Sequence, residues 1–179
     1  MAQRATPYKI HLDLSDTDRG IYDTLRMTVA RHPSETEERM VARILAYALW
    51  YEEALAFGRG LSDVDEPALW LKSLDEQILH WIEVGRPSAD RLLWCARRYP
   101  RVSLLAYGNL RGWDSSVLSS VAGLGNLHIA QVPQEPLDLL AIDLPRTIEW
   151  GLMITDDVIY VGDADQQHEL PLVWLQGSR

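Results

Sequence analysis

The sequence contains almost no cysteine and no long apolar run. Cys95 is the single cysteine in 179 residues, so no intramolecular disulfide can form, which favours a reducing compartment. No stretch approaches the ~20 consecutive apolar residues of a membrane-spanning helix. The first ten residues, MAQRATPYKI, lack the apolar segment of a secretory signal. Together these features predict a cytoplasmic protein.

Positive charge is also scarce. The chain has 17 Lys and Arg against 26 Asp and Glu, which gives a net charge of −9 at pH 7. Such a chain repels nucleic acid at long range, so any nucleic-acid binding requires a locally basic surface. A phosphate-binding loop is not indicated, because Gly58-Arg59-Gly60 lacks the spacing and the Gly-Lys-Ser/Thr ending of that motif. A hydrophobic content of 47% predicts a globular protein, and we expect a single domain over residues 1–179.

Apolar periodicity predicts an α/β protein with both strands and helices along the chain. We predict strands at residues 8–14, 21–29, 68–71, 78–85, 101–107, 127–132, 147–154, 158–161 and 170–175. We predict helices at residues 35–57, 89–99 and 113–121, and a short helix or turn at 137–142. The first two strands and the strands around Asp156-Asp157 are expected to form hairpins.

The first predicted helix has a clear start signal. Ser34 and Glu37 match a capping box, in which each side chain satisfies a free backbone donor of the first turn. Glu38 lies three residues before Val41 and therefore borders the apolar stripe of the helix. We accordingly expect Glu38 to be the glutamate best placed for a site at the helix start. A solvated first turn is the alternative.

A carboxylate inside an apolar strand is the most informative local feature. Glu83 is flanked by Ile82 and Val84 and follows Trp81. Burial of a carboxylate costs several kcal/mol unless it is paired, hydrogen-bonded or bound to a metal. Asp65, which opens the preceding predicted strand, is the candidate for a second metal ligand. Two such carboxylates can hold one Mg²⁺, which polarises a phosphoryl oxygen and activates water.

The alternative to a metal site is an ordinary structural role for both acids. Asp65 would then cap a turn beside Pro67. Glu83 would pair with Arg86, Arg91 or another buried arginine.

Arginine is concentrated in one part of this acidic chain. Between residues 86 and 111 there is one acid, Asp90, and the six arginines are Arg86, Arg91, Arg97, Arg98, Arg101 and Arg111. We expect the first five to contact phosphates if the protein binds nucleic acid. A solvated helix face paired with acids elsewhere is the alternative.

Four segments together resemble the YaeQ family of bacterial proteins over essentially the whole chain. They are HPSETEERM, the DEP before a strand, WIEVGRP and LLAYG. The resemblance implies a restriction-endonuclease-like fold of the PD-(D/E)XK type. That fold has a mixed central sheet flanked by helices, here with extra N- and C-terminal strands. In that superfamily two acids on neighbouring strands and a helical glutamate bind Mg²⁺, and these roles would fall on Asp65, Glu83 and Glu38.

One position departs from the superfamily motif. A lysine stands two residues after the glutamate in the motif, whereas this chain has Gly85. Arg86, Arg91 or Lys72 could supply the missing charge, and we expect Arg91 to do so as a phosphate clamp. Two functions follow as hypotheses: Mg²⁺-dependent hydrolysis of nucleic acid, with Glu38, Asp65, Glu83 and Arg91 as catalytic residues, or a non-catalytic module that binds nucleic acid or a protein.

Overall fold

A computed structural model describes residues 4–59, 61 and 64–179. Within them, eleven strands and four helices form two mixed sheets with helices against them. The strands are β1 Thr6–Asp16, β2 Ile21–Arg31, β3 Leu55–Phe57, β4 Leu69–Lys72, β5 Ile78–Val84, β6 Arg101–Ala106, β7 Leu127–Gln131, β8 Thr147–Thr155, β9 Val158–Gly162, β10 Gln167–Pro171 and β11 Val173–Gln176. The helices are α1 Glu37–Leu49, α2 Ala89–Arg98, α3 Trp113–Val121 and α4 Gln134–Ala141. The predicted α/β class with a mixed sheet is confirmed.

The six-stranded sheet is the part of the fold that positions the candidate site. Its order is β11-β7-β6-β5-β4-β3. The central strands β5, β6 and β7 are parallel and are linked by α2 and α3, whereas β3, β4 and β11 add antiparallel edges. Both faces of β5 are covered, as its apolar sequence predicted, because Ile82 and Val84 belong to one apolar cluster and Trp81 to the other.

The expected extra N- and C-terminal strands form a sheet of their own. Its order is β10-β9-β8-β1-β2. β1 pairs antiparallel with β2, as predicted, and parallel with β8, which brings residues 9–16 against residues 147–154. The alternating burial along β8 shows that one face of this sheet is buried and the other is exposed.

Two apolar clusters hold the layers together. One cluster joins the five-stranded sheet, α1, α4 and one face of the six-stranded sheet. The other joins the opposite face of the six-stranded sheet to α2 and α3. Residues 40–49 of α1 are all buried, as expected for a helix enclosed on every side. α1 is therefore an inner element and not a surface helix.

The first predicted helix is too long. α1 ends at Leu49, and residues 55–57 form β3, which pairs antiparallel with β4. The predicted capping box is also wrong, because Thr36 is the N-cap and its side chain accepts a hydrogen bond from the Arg39 amide. Ser34 and Glu37 are thus not reciprocal caps. Pairing with a neighbouring strand outweighed the local helical periodicity of residues 55–57.

The C-terminal strand prediction needs a correction as well. The stretch 170–175 was expected to be one strand, but β10 and β11 divide it between the two sheets. Leu172 between them donates its backbone N–H to Asp157. Of the helices in the described part of the chain, none is long and apolar enough to cross a membrane.

Candidate functional site

Glu83 lies in β5 and is buried, with only 7% of its surface exposed. Its side chain points to the same face as Trp81, because successive residues of a strand alternate between faces. The Trp81 indole N–H donates to Glu83 Oε1 at 2.8 Å. Arg91 donates its Nε–H to the same oxygen at 2.9 Å, and Arg91 Nη2 lies 2.8 Å from it. The buried carboxylate is therefore paired and hydrogen-bonded, as its apolar surroundings require.

Arg91 also fixes the loop that precedes β4. It sits in the first turn of α2, whose N-cap Ser88 accepts a hydrogen bond from the Arg91 amide. Its Nη1 donates to the carbonyl of Val64 at 2.6 Å, and its Nη2 donates to the carbonyl of Glu66 at 3.3 Å. One guanidinium thus joins α2, β5 and the loop of residues 64–66. The expectation that Arg91 aims back at the strand end agrees with these contacts.

A cleft of about 300 Å³ opens beside this ion pair. Its lining residues are Arg39, Leu61, Val64, Glu66, Glu83, Pro87, Ser88 and Arg91. The acids of this lining are Glu66 and Glu83. Glu66 accepts a hydrogen bond from the Arg59 amide at 2.8 Å. The cleft therefore combines two acids that are both already engaged by arginines or by backbone.

The other two predicted acids lie on other elements of the fold. Asp65 is exposed in the loop held by Arg91, and Glu38 is half-buried in the first turn of α1. Neither lines the cleft. Across residues 4–59, 61 and 64–179, no group of three or more His, Cys, Asp and Glu side chains is arranged to hold a metal ion.

The donor set around Glu83 does not fit a divalent cation as it stands. Glu83 Oε1 already faces an indole N–H and two guanidinium nitrogens. A guanidinium at this distance would repel Mg²⁺. Binding of Mg²⁺ by Asp65 and Glu83 stays a prediction, and it would require the Arg91 guanidinium to move away from Glu83 Oε1.

The backbone conformation at Gly85 disfavours any side chain, including the lysine of the motif that the sequence resembles. Gly85 has φ +101°, a conformation that side-chain-bearing L residues rarely adopt. A lysine at this position would therefore be strained whatever charge it supplied. The guanidinium of Arg91, eight residues after Glu83, is the cation that reaches the strand carboxylate.

The buried glutamate of the α1 start is Glu35, which precedes the expected Glu38 by three residues. Glu35 is 2% exposed and Arg43 is 1% exposed. Arg43 donates to Glu35 Oε2 at 3.0 Å, and Arg39 donates to Glu35 Oε1 at 2.7 Å. The pKa of Arg43 is lowered from its usual value, because the effect of burial exceeds the opposing effect of Glu35. This ion pair fixes the start of α1 and supplies no open ligand.

The arginines expected to bind phosphates do not share one face. Arg97 and Arg98 are exposed in the last turn of α2, and Arg86 is exposed at the opposite end, where it donates to the carbonyl of Asn109 at 2.9 Å. Arg101 is half-buried at the start of β6 and lines a separate cavity of about 970 Å³ with Arg19 and Arg179. Burial lowers the pKa of Arg101.

Sequence reasoning missed an aromatic cluster on the flank of α2. The cluster consists of Trp70, Trp81, Trp94 and Tyr99. Lys72 Nζ lies 4.1 Å from the ring centroid of Trp70, and Arg98 Cζ lies 4.3 Å from that of Trp94. The sequence spacing indicates these two contacts, because residues two apart in a strand, such as Trp70 and Lys72, share a face. Residues four apart in a helix, such as Trp94 and Arg98, also lie side by side.

Known proteins match this chain over nearly its full length. The family model described as YaeQ protein matches residues 1–172. The uncharacterized proteins YaeQ of Salmonella typhi and Escherichia coli K12 are 36% and 34% identical to it over 181 residues, covering 99% of the chain and 100% of each relative.

Two solved structures share the fold. The crystal structure of YaeQ protein from Pseudomonas syringae is 59% identical with a TM-score of 0.95, covering 97% of both chains. That of YaeQ protein from Xanthomonas axonopodis pv. citri is 30% identical with a TM-score of 0.93, covering 97% of this chain and 99% of the other. Both agree with the architecture described above.

Proposed function

The chain belongs to the YaeQ family, and from that premise we propose that it is a non-catalytic nucleic-acid-binding protein. The proposed binding surface, called here the α2 surface, comprises the last turn of α2 and the neighbouring strand β4. Its cations are Arg97 and Arg98 on α2 and Lys72 on β4. Binding would rest on contacts between these cations and phosphates.

The observation that supports this proposal is the uncompensated charge of Arg97 and Arg98. Among the described residues no carboxylate forms an ion pair with Arg97 or Arg98, whereas Lys72 pairs with the exposed Glu76 and Arg91 pairs with the buried Glu83. The expected alternative, in which acids elsewhere in the fold pair with this helix, thus applies to Arg91 but not to Arg97 and Arg98. A polyanion can replace the small anions around such groups and gain the entropy of their release.

Mg²⁺-dependent hydrolysis is the second candidate. It is supported by the contacts of Arg91 with the carbonyls of Val64 and Glu66, which tie the loop that carries Asp65 to the guanidinium that pairs with Glu83. It is weakened by the occupied state of Glu83 Oε1. A restriction-endonuclease-like classification of the fold belongs to this candidate and likewise stays a prediction.

Fluorescence anisotropy with labelled DNA and RNA oligonucleotides tests the proposal. The double variant Arg97→Glu/Arg98→Glu should weaken binding at least about tenfold and should reduce the slope of log K against log salt. The matched control is Arg4→Glu/Arg26→Glu, which makes the same change in net charge at two exposed arginines outside the α2 surface.

Three results would overturn parts of the proposal. Equal losses in the two double variants would mean that net charge alone governs binding and that the α2 surface is not the site. Absence of binding by the wild-type protein to every oligonucleotide at low salt would reject nucleic-acid binding. Cleavage in Mn²⁺ or Mg²⁺ that disappears in Asp65→Ala would replace the non-catalytic module by the enzyme.

A further inference from the structure

The aromatic cluster has one buried member, Trp81, and three partly exposed ones. Trp81 is fully buried and stacks on Tyr99, with ring centroids 4.6 Å apart and an interplanar angle of 8°. Trp70 and Trp94 are only partly buried, and each meets Trp81 edge-on, at 6.5 Å and 5.9 Å respectively. The buried Trp81 therefore holds Trp70 and Trp94 in fixed orientations at the protein surface.

A flexible cation covers one ring face of each of the two outer tryptophans. Arg98 is exposed and lies over Trp94, and Lys72 lies over Trp70 while also pairing with the exposed Glu76 at 3.1 Å. These long side chains can rotate away without any backbone movement. Each ring face can thus be opened, and its cation stays close enough to meet a phosphate.

We propose that Trp94 and Trp70 are stacking platforms for unpaired bases, so that the ligand of the α2 surface is single-stranded nucleic acid. This inference rests on the proposed function and specifies its ligand. Stacking of a base on an indole is stronger than an exposed cation–π contact, and the displaced cation gains a phosphate partner. Both changes favour the exchange.

The geometry selects against a duplex. In double-stranded nucleic acid both faces of each base are covered by neighbouring bases, so flat aromatic platforms have nothing to stack on. In a single strand every base has a free face, and stacking tolerates any sequence. We therefore expect discrimination between strandedness and little discrimination between bases.

The test compares three ligands of about 15 nucleotides, a length in the range of known single-strand sites. They are oligodeoxythymidine, oligouridine and a mixed-sequence DNA duplex. Wild-type protein should bind both single strands more tightly than the duplex, and tryptophan fluorescence should fall on binding. The DNA and RNA single strands serve to identify which polymer is preferred.

Variants at Trp94 identify the stacking contribution. Trp94→Leu should weaken single-strand binding about tenfold and leave duplex binding unchanged. Trp94→Tyr keeps a flat ring and should retain most of the single-strand affinity. The matched control is Trp174→Leu in β11, a partly exposed tryptophan whose indole bonds Asp157 outside the cluster. Thermal melting checks that each variant is folded.

The outcomes separate the two proposals. The stacking inference is overturned if the wild-type protein binds single strands and duplex with equal affinity, or if Trp94→Leu and Trp174→Leu bind single strands equally well. The α2 surface remains the binding site in that case if Arg97→Glu/Arg98→Glu still weakens binding. If Trp94→Leu does not fold, unchanged tryptophan fluorescence of the wild type with bound single strand overturns the inference by itself. No binding to any ligand overturns both proposals.

Discussion

Glu83 and Arg91 are joined through a single carboxylate oxygen. Glu83 Oε1 accepts hydrogen bonds from the Nε–H of Arg91 at 2.9 Å and from the indole of Trp81 at 2.8 Å, and Nη2 of the same guanidinium lies 2.8 Å from it. Glu83 comes from the buried strand and Arg91 from the helix that follows it. Their contact closes the turn between β5 and α2 and holds the loop of residues 64–66 against both.

The first prediction concerns stability. Arg91→Ala removes the partner of a buried carboxylate together with two loop contacts, so it should lower the free energy of unfolding by about 2–3 kcal/mol. This figure lies below the range for fully buried pairs because the Arg91 side chain is 29% exposed. The control Arg97→Ala, at an exposed position on the same helix, should change the free energy of unfolding by less than about 0.5 kcal/mol. Urea unfolding measures both, and similar losses would mean that the Arg91 contacts contribute little.

The second prediction concerns divalent cations. Mg²⁺ or Mn²⁺ at millimolar concentration should leave the Tm of the wild-type protein unchanged, because Glu83 Oε1 already accepts two hydrogen bonds and forms an ion pair with the Arg91 guanidinium. A ligand that binds the folded state would raise the Tm. A metal-dependent rise in the wild type that is lost in Glu83→Gln and in Asp65→Asn would restore the metal site predicted from the sequence.

The third prediction concerns pH. Burial, followed by Arg101 and His128, lowers the pKa of His80 to about 3, and its Nε2 lies 2.8 Å from Ser103 Oγ. Because the unfolded histidine has its ordinary pKa near ~6.5, unfolding takes up a proton below that pH. Stability from this group is therefore fully present above about pH 6.5 and is lost progressively as the pH falls toward 3.

The expected size of the pH effect is about 1.4 kcal/mol per pH unit below ~6.5. Equilibrium unfolding between pH 7.5 and 5 measures it, and His80→Gln should flatten the profile in that range. His32→Gln, at a partly exposed position, is the control and should leave the slope unchanged. A wild-type profile as flat as that of His80→Gln would show that His80 titrates normally in the folded protein.

Local sequence patterns were sufficient for much of the fold. The hairpin of β1 and β2, the helix α2 and the turn at Asp156-Asp157 follow from apolar periodicity and turn chemistry within short segments. Long-range pairing left no such signal. The parallel contact of β1 with β8, and the use of residues 55–57 as an edge strand, depend on partners far along the chain.

The candidate site was predictable only up to a choice between alternatives. The apolar neighbours of Glu83 required a compensating charge, and both Mg²⁺ and an arginine satisfied that requirement. The separation of eight residues between Glu83 and Arg91 does not decide between them, because it depends on where the intervening turn aims the helix. At the α1 start, periodicity favoured Glu38, yet the buried acid is Glu35, which lies before the N-cap Thr36 and outside any helical pattern.

The parallel pairing of β1 with β8 has a consequence for biosynthesis. At 5–20 residues per second, the ribosome adds residue 154 roughly 7 to 28 seconds after residue 16. Throughout that interval the β1–β2 ribbon presents an open backbone edge to other nascent chains. Substitutions that weaken β8 should therefore reduce soluble yield during expression before they produce any measurable loss in the melting of purified protein.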